Sequence, residues 1–389
     1  MAIRDCAKQS EAFAALYDAY TNRDKAALTW KEQGGKVVAE LGTDVPDEII
    51  IAAGMLPIRV ASDPNKELNY ANTYLEQAYE PSIFSTFEKI VDGTYDAFCD
   101  HLAVSHTSDF ELRMWLYLRE IRRSERQLRV PPVEWIDWLW VRRRMYQEEN
   151  EKVVARFKDA VEKWTGRLIE DEELEAAFEV CNDQHAALRE VQALRRADKP
   201  RVSGSEALVI TGAGFFMDRA EHAKLVRQVA ADAQSWPEID GPRVFMTGTP
   251  QDSIDLYEAI EAAGCVVVGE DHDWGDRYFS ADCSTEIDPM LAIVNRYMLA
   301  PARTNRTLVA DRVAALDADA AATKADGVVF YMHDRDVSAS WDYPEQRKSL
   351  EAKGVKTAAF FRMQWPVSKN EDLPDALAAF AEELKGERA

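Results

Sequence analysis

The stretch PRVFMTGTPQDSIDLYEAIEAAGCVVVGEDHD, Pro242 to Asp273, decides the fold. It opens with a short apolar run, breaks at Thr247-Gly248-Thr249-Pro250, continues as the helical pattern SIDLYEAIEAAG, and closes on a second apolar run from Gly264. Two strands separated by a helix-length segment cannot pair as a tight hairpin, so they lie parallel with the helix crossing over one face.

Working outward, the same alternation repeats. ALVITGAG from Ala207 reads as an earlier strand, DGVVFYMHDRD from Asp326 as a fourth and VKTAAFF from Val355 as a fifth, with DRAEHAKLVRQVAADA among the intervening helices. Alternating strand and helix predicts a parallel sheet covered on both faces. The polar segment RADKPRVSGSE, Arg196 to Glu206, holds Pro200 and Gly204 and reads as a linker. We therefore divide the chain into residues 1–200, an α/β domain with a helical extension over about 110–195, and residues 201–389, a second α/β domain. In the first part, residues 8–33 read as helix. LGTDVPDEIIIAAGMLPIRV, Leu41 to Val60, reads as a short buried helix feeding a strand, with Asp44 as candidate cap and Pro46, Asp47 and Glu48 in its first turn. YDAFCDHLAVS contains a strand, followed by the helical FELRMWLYLREIRRSERQ. Val133 to Arg195 reads as long helix, with Trp135, Trp138 and Trp140 spaced to pack against a neighbour.

Composition narrows the function. The chain has 389 residues, is 47% hydrophobic, and carries 47 Lys+Arg against 69 Asp+Glu for a net charge of -22. Such a field repels nucleic acid and anionic membrane surfaces, so neither is expected as a partner. No apolar run long enough to span a bilayer and no signal-like N-terminus is visible, and a cytoplasmic location is expected. Cys6, Cys99, Cys181, Cys265 and Cys283 are too scattered for a metal knuckle or a compact disulfide framework.

Ligands of parallel sheets sit at the carboxyl ends of strands, where Gly212, Gly248, His272 and His333 fall. The turns TGAGFFMDRAEH and MTGTPQDSIDLY bear glycine but match no nucleotide fingerprint: the first lacks the third glycine of GxGxxG and the second lacks GKS/T. The turn at Gly248 and Thr249 could cradle a phosphate on backbone N–H groups, or be a plain tight turn. Asp271, His272, Asp273 and Asp276 could be imagined around a metal, yet adjacent loop residues lack the spacing that fixes a ligand set. His333, Asp334, Arg335 and Asp336 end a very apolar strand and should gather in a crevice. His106, Ser108 and Asp109 end an earlier strand without making a triad.

Four segments taken together resemble the 2-hydroxyacyl-CoA dehydratase and benzoyl-CoA reductase family, in particular its smaller cluster subunits: GGKVVAELGTDVPDEIIIAAGMLPIRV, YLEQAYEPSIFSTFEKIVDGTYDAFCDHLAVSHTSD, RVFMTGTPQDSIDLYEAIEAAGCVVVGEDHDWGDRY and DGVVFYMHDRDVSASWDYPEQRKSLEAKGVKT. The resemblance implies two flavodoxin-like parallel-sheet domains with an added helical region, a cleft between them, and a homologous partner subunit. It also implies a [4Fe-4S] cluster held by three cysteines. At the matching positions this chain has Gly42 or Thr43, Tyr79 or Glu80, and Asp336, and Cys99 is not placed to substitute. Clusters of this kind are held by thiolates. The expectation is a subunit without its own cluster, acting on an acyl-CoA beside a cluster-bearing partner that an ATP-dependent activator supplies with electrons.

Two other readings stay open: a non-redox acyl-CoA enzyme using acid–base residues in the vacated cavity, and a structural or regulatory scaffold. Candidate catalytic residues are Glu80, His106, His333 and Asp336. For the substrate, the candidates are Thr43, Asp44, Arg59, Ser108, Gly248, Thr249 and Arg277, since arginine can pair with phosphate oxygens through two hydrogen bonds.

Overall fold

A computed structural model describes residues 3–299 and 307–386. It contains two four-stranded, wholly parallel sheets. The first is built from β1 (Val37–Leu41), β2 (Leu56–Arg59), β3 (His101–Ser105) and β4 (Val133–Ile136), in the order β2-β1-β3-β4. The second is built from β5 (Arg243–Gly248), β6 (Val266–Glu270), β7 (Gly327–His333) and β8 (Lys356–Met363), in the order β6-β5-β7-β8. The two orders are the same flavodoxin-like pattern, in which the winding reverses between the first and third strands. Each sheet therefore has a topological switch point at the carboxyl ends of β1 and β3, and of β5 and β7.

Strand alternation sends side chains to two cores. Val37, Ala39 and Leu41 join Phe84, Phe87 and Ile90 of the helix Pro81–Val91 and Met114, Leu118 and Ile121 of the helix Asp109–Ser124. Val38 turns the other way, onto Ile49 and Ile50 of the helix Asp47–Ala52 and Val154 and Phe157 of the helix Arg144–Thr165. In the second sheet Val328, Phe330 and Met332 pack on Leu316, Ala320 and Leu350, while Val329 and Tyr331 face the larger core.

Some sequence readings are corrected. ALVITGAG is no strand: Gly204–Ala213 is a helix whose ten residues are all buried, opened by a reciprocal cap between Ser203 and Glu206. A segment buried all round has no polar face to alternate with its apolar one, so its period carries no signal. Trp135 lies in β4, with Trp138 and Trp140 in the loop beyond it, so the long helical reading from Val133 starts too early. Asp44 does not cap the helix at Asp47–Ala52; its N-cap is Pro46. The helix Glu11–Thr21 packs with Gly204–Ala213 and with Arg219–Ala233, far along the chain, through Phe13, Leu16, Ile210 and Val229. No helix among the described residues is long and apolar enough to cross a membrane.

Candidate functional site

The carboxyl ends of both sheets border one cleft of 640 Å³, within the range of small-molecule sites. Gly42 and Thr43 enter it from β1, Thr107 and Ser108 from β3, Gly248 and Thr249 from β5, and Asp336 from beyond β7. Of the sequence candidates Arg59, Tyr79, Glu80 and Arg277 line it too. Asp44 borders a small adjoining cavity of 60 Å³, and His333 a second large one. His106 is not part of the cleft wall; its Nδ1 pairs with Asp137 at 2.5 Å and its ring lies 5.0 Å from Trp135.

Two constellations face each other there. On the β1/β3 side, Gly42 adopts φ +91°, and a Cβ at this position would meet the Ser105 side chain at 2.4 Å and its carbonyl at 2.9 Å. The chain then turns so that the Thr43 N–H donates to Thr107 Oγ1 at 3.0 Å, while both threonine hydroxyls donate to Asp44 Oδ2, at 2.8 and 3.0 Å. Burial pushes the Asp44 carboxyl above its ordinary range, with Arg277 and the hydroxyls opposing. Ser108 and Glu111 form a capping box at the head of the helix Asp109–Ser124. Burial raises Glu111 to about 7 despite those donors.

On the β5/β7 side, Gly248 has φ +120°, and a Cβ would fall 2.2 Å from the Tyr331 carbonyl, so only glycine fits this turn. The Thr249 hydroxyl donates to Asp336 Oδ2 at 2.6 Å and accepts the His333 backbone N–H at 3.0 Å. Asp336 in turn caps the helix Val337–Ala352 by accepting from the Ser338 N–H. Glu80 sits at the N-cap of Pro81–Val91 but does not cap it; its carboxylate reaches His333 Nδ1 at 3.2 Å. Burial holds the Glu80 carboxyl above its usual value, with the His333 hydrogen bond opposing and Asp336 adding to the rise.

The arginines are committed to the protein. Arg59 is buried, donates to the Asp273 carbonyl at 2.7 Å, and stacks 3.7 Å from the Phe215 ring centre. Arg277 reaches Thr43 Oγ1 at 3.3 Å and Asp273 at 3.9 Å. The acids and histidine of the β6 loop diverge: Asp271 accepts from Thr247, His272 shares a hydrogen bond with Tyr257 at 2.8 Å, and Asp276 pairs with Arg196. No cysteine lines the cleft. Thr107 and Glu111 went unnoticed in the sequence, although the spacing Ser108-x-x-Glu111 is a capping signature.

Comparison with known proteins gives consistent matches. The family model described as 2-hydroxyglutaryl-CoA dehydratase, D-component, matches residues 43–384. The chain is 24% identical to the (R)-phenyllactyl-CoA dehydratase beta subunit of Clostridium sporogenes, over 96% of this chain and 98% of that protein. It is 26% identical to the lactoyl-CoA dehydratase subunit beta of Anaerotignum propionicum, over 95% and 97%. One of the benzoyl-CoA reductase subunits of Thauera aromatica is 27% identical, over 68% of this chain and 69% of that protein.

Proposed function

The chain belongs to the 2-hydroxyglutaryl-CoA dehydratase D-component family, and from that premise we propose that it is a beta-type subunit of a complex acting on a CoA thioester, without an iron–sulfur cluster of its own. In this reading the redox step falls to a homologous, cluster-bearing partner fed by an ATP-dependent activator, and this chain contributes cleft walls.

The observation that carries the reading is the cleft's donor set. Its walls offer hydroxyls, carboxylates, guanidinium groups and backbone N–H groups, and no thiolate; the positions that match the family's cluster cysteines hold Gly42 or Thr43, Tyr79 or Glu80, and Asp336. Cys99, Cys181, Cys265 and Cys283 are buried elsewhere, and burial pushes all four thiols upward, away from the ligating thiolate form. Gly42 has no room for a side chain. These residues do not fit a thiolate-held cluster. They do fit an acyl-CoA: glycine turns at two switch points bring backbone close to a ligand, and Thr43, Ser108 and Thr249 offer hydroxyls along the wall.

The test is iron and acid-labile sulfide per chain after anaerobic purification, alone and after co-expression with a cysteine-bearing homologue. Iron is expected only in the co-purified complex. About four irons on the isolated chain, as a cubane requires, would refute the reading.

A second reading, non-redox acid–base chemistry on an acyl-CoA, is favoured by Glu80 and Glu111. Both are carboxyls at the cleft that burial pushes above the ordinary range, Glu111 to about 7, in the direction a general acid needs. Turnover of an acyl-CoA by the iron-free chain alone would select it. The scaffold reading is disfavoured by the cleft, which is open and lined by polar and apolar groups alike rather than filled by apolar side chains.

A further inference from the structure

Arg59 and Arg277 are held by the protein, yet three more arginines line the same cleft: Arg113 from the helix Asp109–Ser124, Arg312, and Arg335 from the corner after β7. Arg312 is taken, since its guanidinium donates twice to Asp342, at 2.5 and 2.6 Å. Arg113 and Arg335 are held more loosely. Their side chains are 53% and 40% exposed, and their carboxylate partners, Glu76 and Asp334, stand 3.5 and 3.7 Å away, beyond the reach of a well-formed hydrogen bond.

Both of these arginines meet Tyr79. Arg113 Nη1 lies 3.5 Å from the Tyr79 hydroxyl, and Arg335 Nη1 lies 3.4 Å from the Tyr79 carbonyl. Tyr79 is buried and set edge-on to Phe110 at 5.5 Å, which makes it a fixed spacer. One guanidinium from the first sheet's side and one from the second therefore stand a single tyrosine apart on one wall of the cleft. Arg335 also holds φ at +74°, a left-handed backbone that residues other than glycine seldom adopt and that concentrates at ligand clamps. The acids along this wall have other partners: Glu80 has His333, Asp336 has Thr249, and Asp334 has Arg362 at 3.3 Å. Asp334 thus stays paired when Arg335 turns toward a ligand.

We propose that Arg113 and Arg335 together hold the phosphate groups of the CoA moiety, on either side of Tyr79. The proposal rests on the acyl-CoA reading above and places the nucleotide end of that ligand. CoA carries a diphosphate and a separate 3′-phosphate, more anionic oxygens than one guanidinium can pair. In a chain of net charge -22 such a group needs a local cationic seat.

The probe is acetyl-CoA, titrated by calorimetry into the full chain. The parent protein is expected to bind it at one site, with an affinity that falls as salt rises. Arg335→Asn and Arg113→Gln should each weaken binding roughly tenfold, the loss of a charge-assisted contact, and should flatten the salt dependence. Asparagine tolerates a left-handed backbone better than arginine does, so Arg335→Asn should melt no lower than the parent, which separates a ligand contact from a structural one. Affinity unchanged in either variant overturns the proposal and leaves the acyl-CoA reading standing. Affinity that falls only together with the melting temperature overturns it in the same way. No binding of acetyl-CoA by the parent at millimolar concentration overturns both.

Discussion

Replacing Thr249 by valine tests whether its hydroxyl ties the end of β5 to the corner after β7 on the second-sheet side of the candidate site. Valine keeps the shape and removes the hydroxyl, which at present accepts the buried His333 N–H and donates to the Asp336 carboxylate. Leaving a buried N–H unpaired costs about 1–3 kcal/mol. The lost bond to a half-buried carboxylate adds about 1 kcal/mol, the net value of an ordinary hydrogen bond rather than of a fully buried charged one, because Asp336 keeps some contact with water. The expected destabilisation is about 2–4 kcal/mol. Thr249→Ser retains both bonds and loses one methyl, about 1 kcal/mol. Urea unfolding of the two variants side by side, with amide exchange of His333 as a local readout, gives both numbers. The reasoning fails if Thr249→Val is no less stable than Thr249→Ser, or if the His333 amide exchanges as slowly in the valine variant as in the parent.

Two further outcomes follow from the same geometry. Gly248→Ala and Gly354→Ala both place a side chain at positive φ, +120° and +79°, but only at Gly248 would the Cβ strike backbone, since nothing lies within 4 Å of the Cβ at Gly354. Gly354→Ala should cost about 1–2 kcal/mol in a melting comparison, and Gly248→Ala distinctly more; equal costs would contradict the steric account. Glu111 and Glu261, each raised to about 7 by burial, bind their protons more tightly folded than unfolded, where a glutamate titrates near about 4.3. Their contribution is therefore fully present below about pH 4 and is lost as pH rises through about 7, by at most about 4 kcal/mol each. Stability measured from pH 5 to pH 8 should fall, and Glu111→Gln should flatten the fall; an unchanged slope would refute the assignment to Glu111.

The strands of the second sheet were readable because each apolar run is broken by glycine or a polar corner. Gly248 and the His333–Asp336 corner mark the ends of β5 and β7 in sequence as in space. The helix Gly204–Ala213 was not readable, because β-branched and small residues buried on every side look the same in either conformation; Ser203 and Glu206 held the only local signal. Thr43, Ser108, Gly248, Thr249 and Asp336 come to one cleft for a simple reason: strand ends at a switch point converge whatever the loop lengths. What no local pattern could supply was partnership. The Glu80–His333 contact joins residues 253 apart, and the Thr249–Asp336 contact joins residues 87 apart. Arg59 looked free for phosphate because its acid, Asp273, lies on a loop of the other sheet; Arg277 has the same acid four residues before it, a pairing that loop spacing alone does not announce.

The packing of the helix Glu11–Thr21 sets an order of events during synthesis. This helix leaves the ribosome far ahead of its cover, since the face bearing Phe13 and Leu16 packs into a cluster with Ile210, Val229 and Trp236. At about 5–20 residues per second the wait is on the order of 10–40 s. Throughout it an apolar stripe stands uncovered, so the nascent chain is exposed to chaperones and to misassembly long after the first sheet has its own strands.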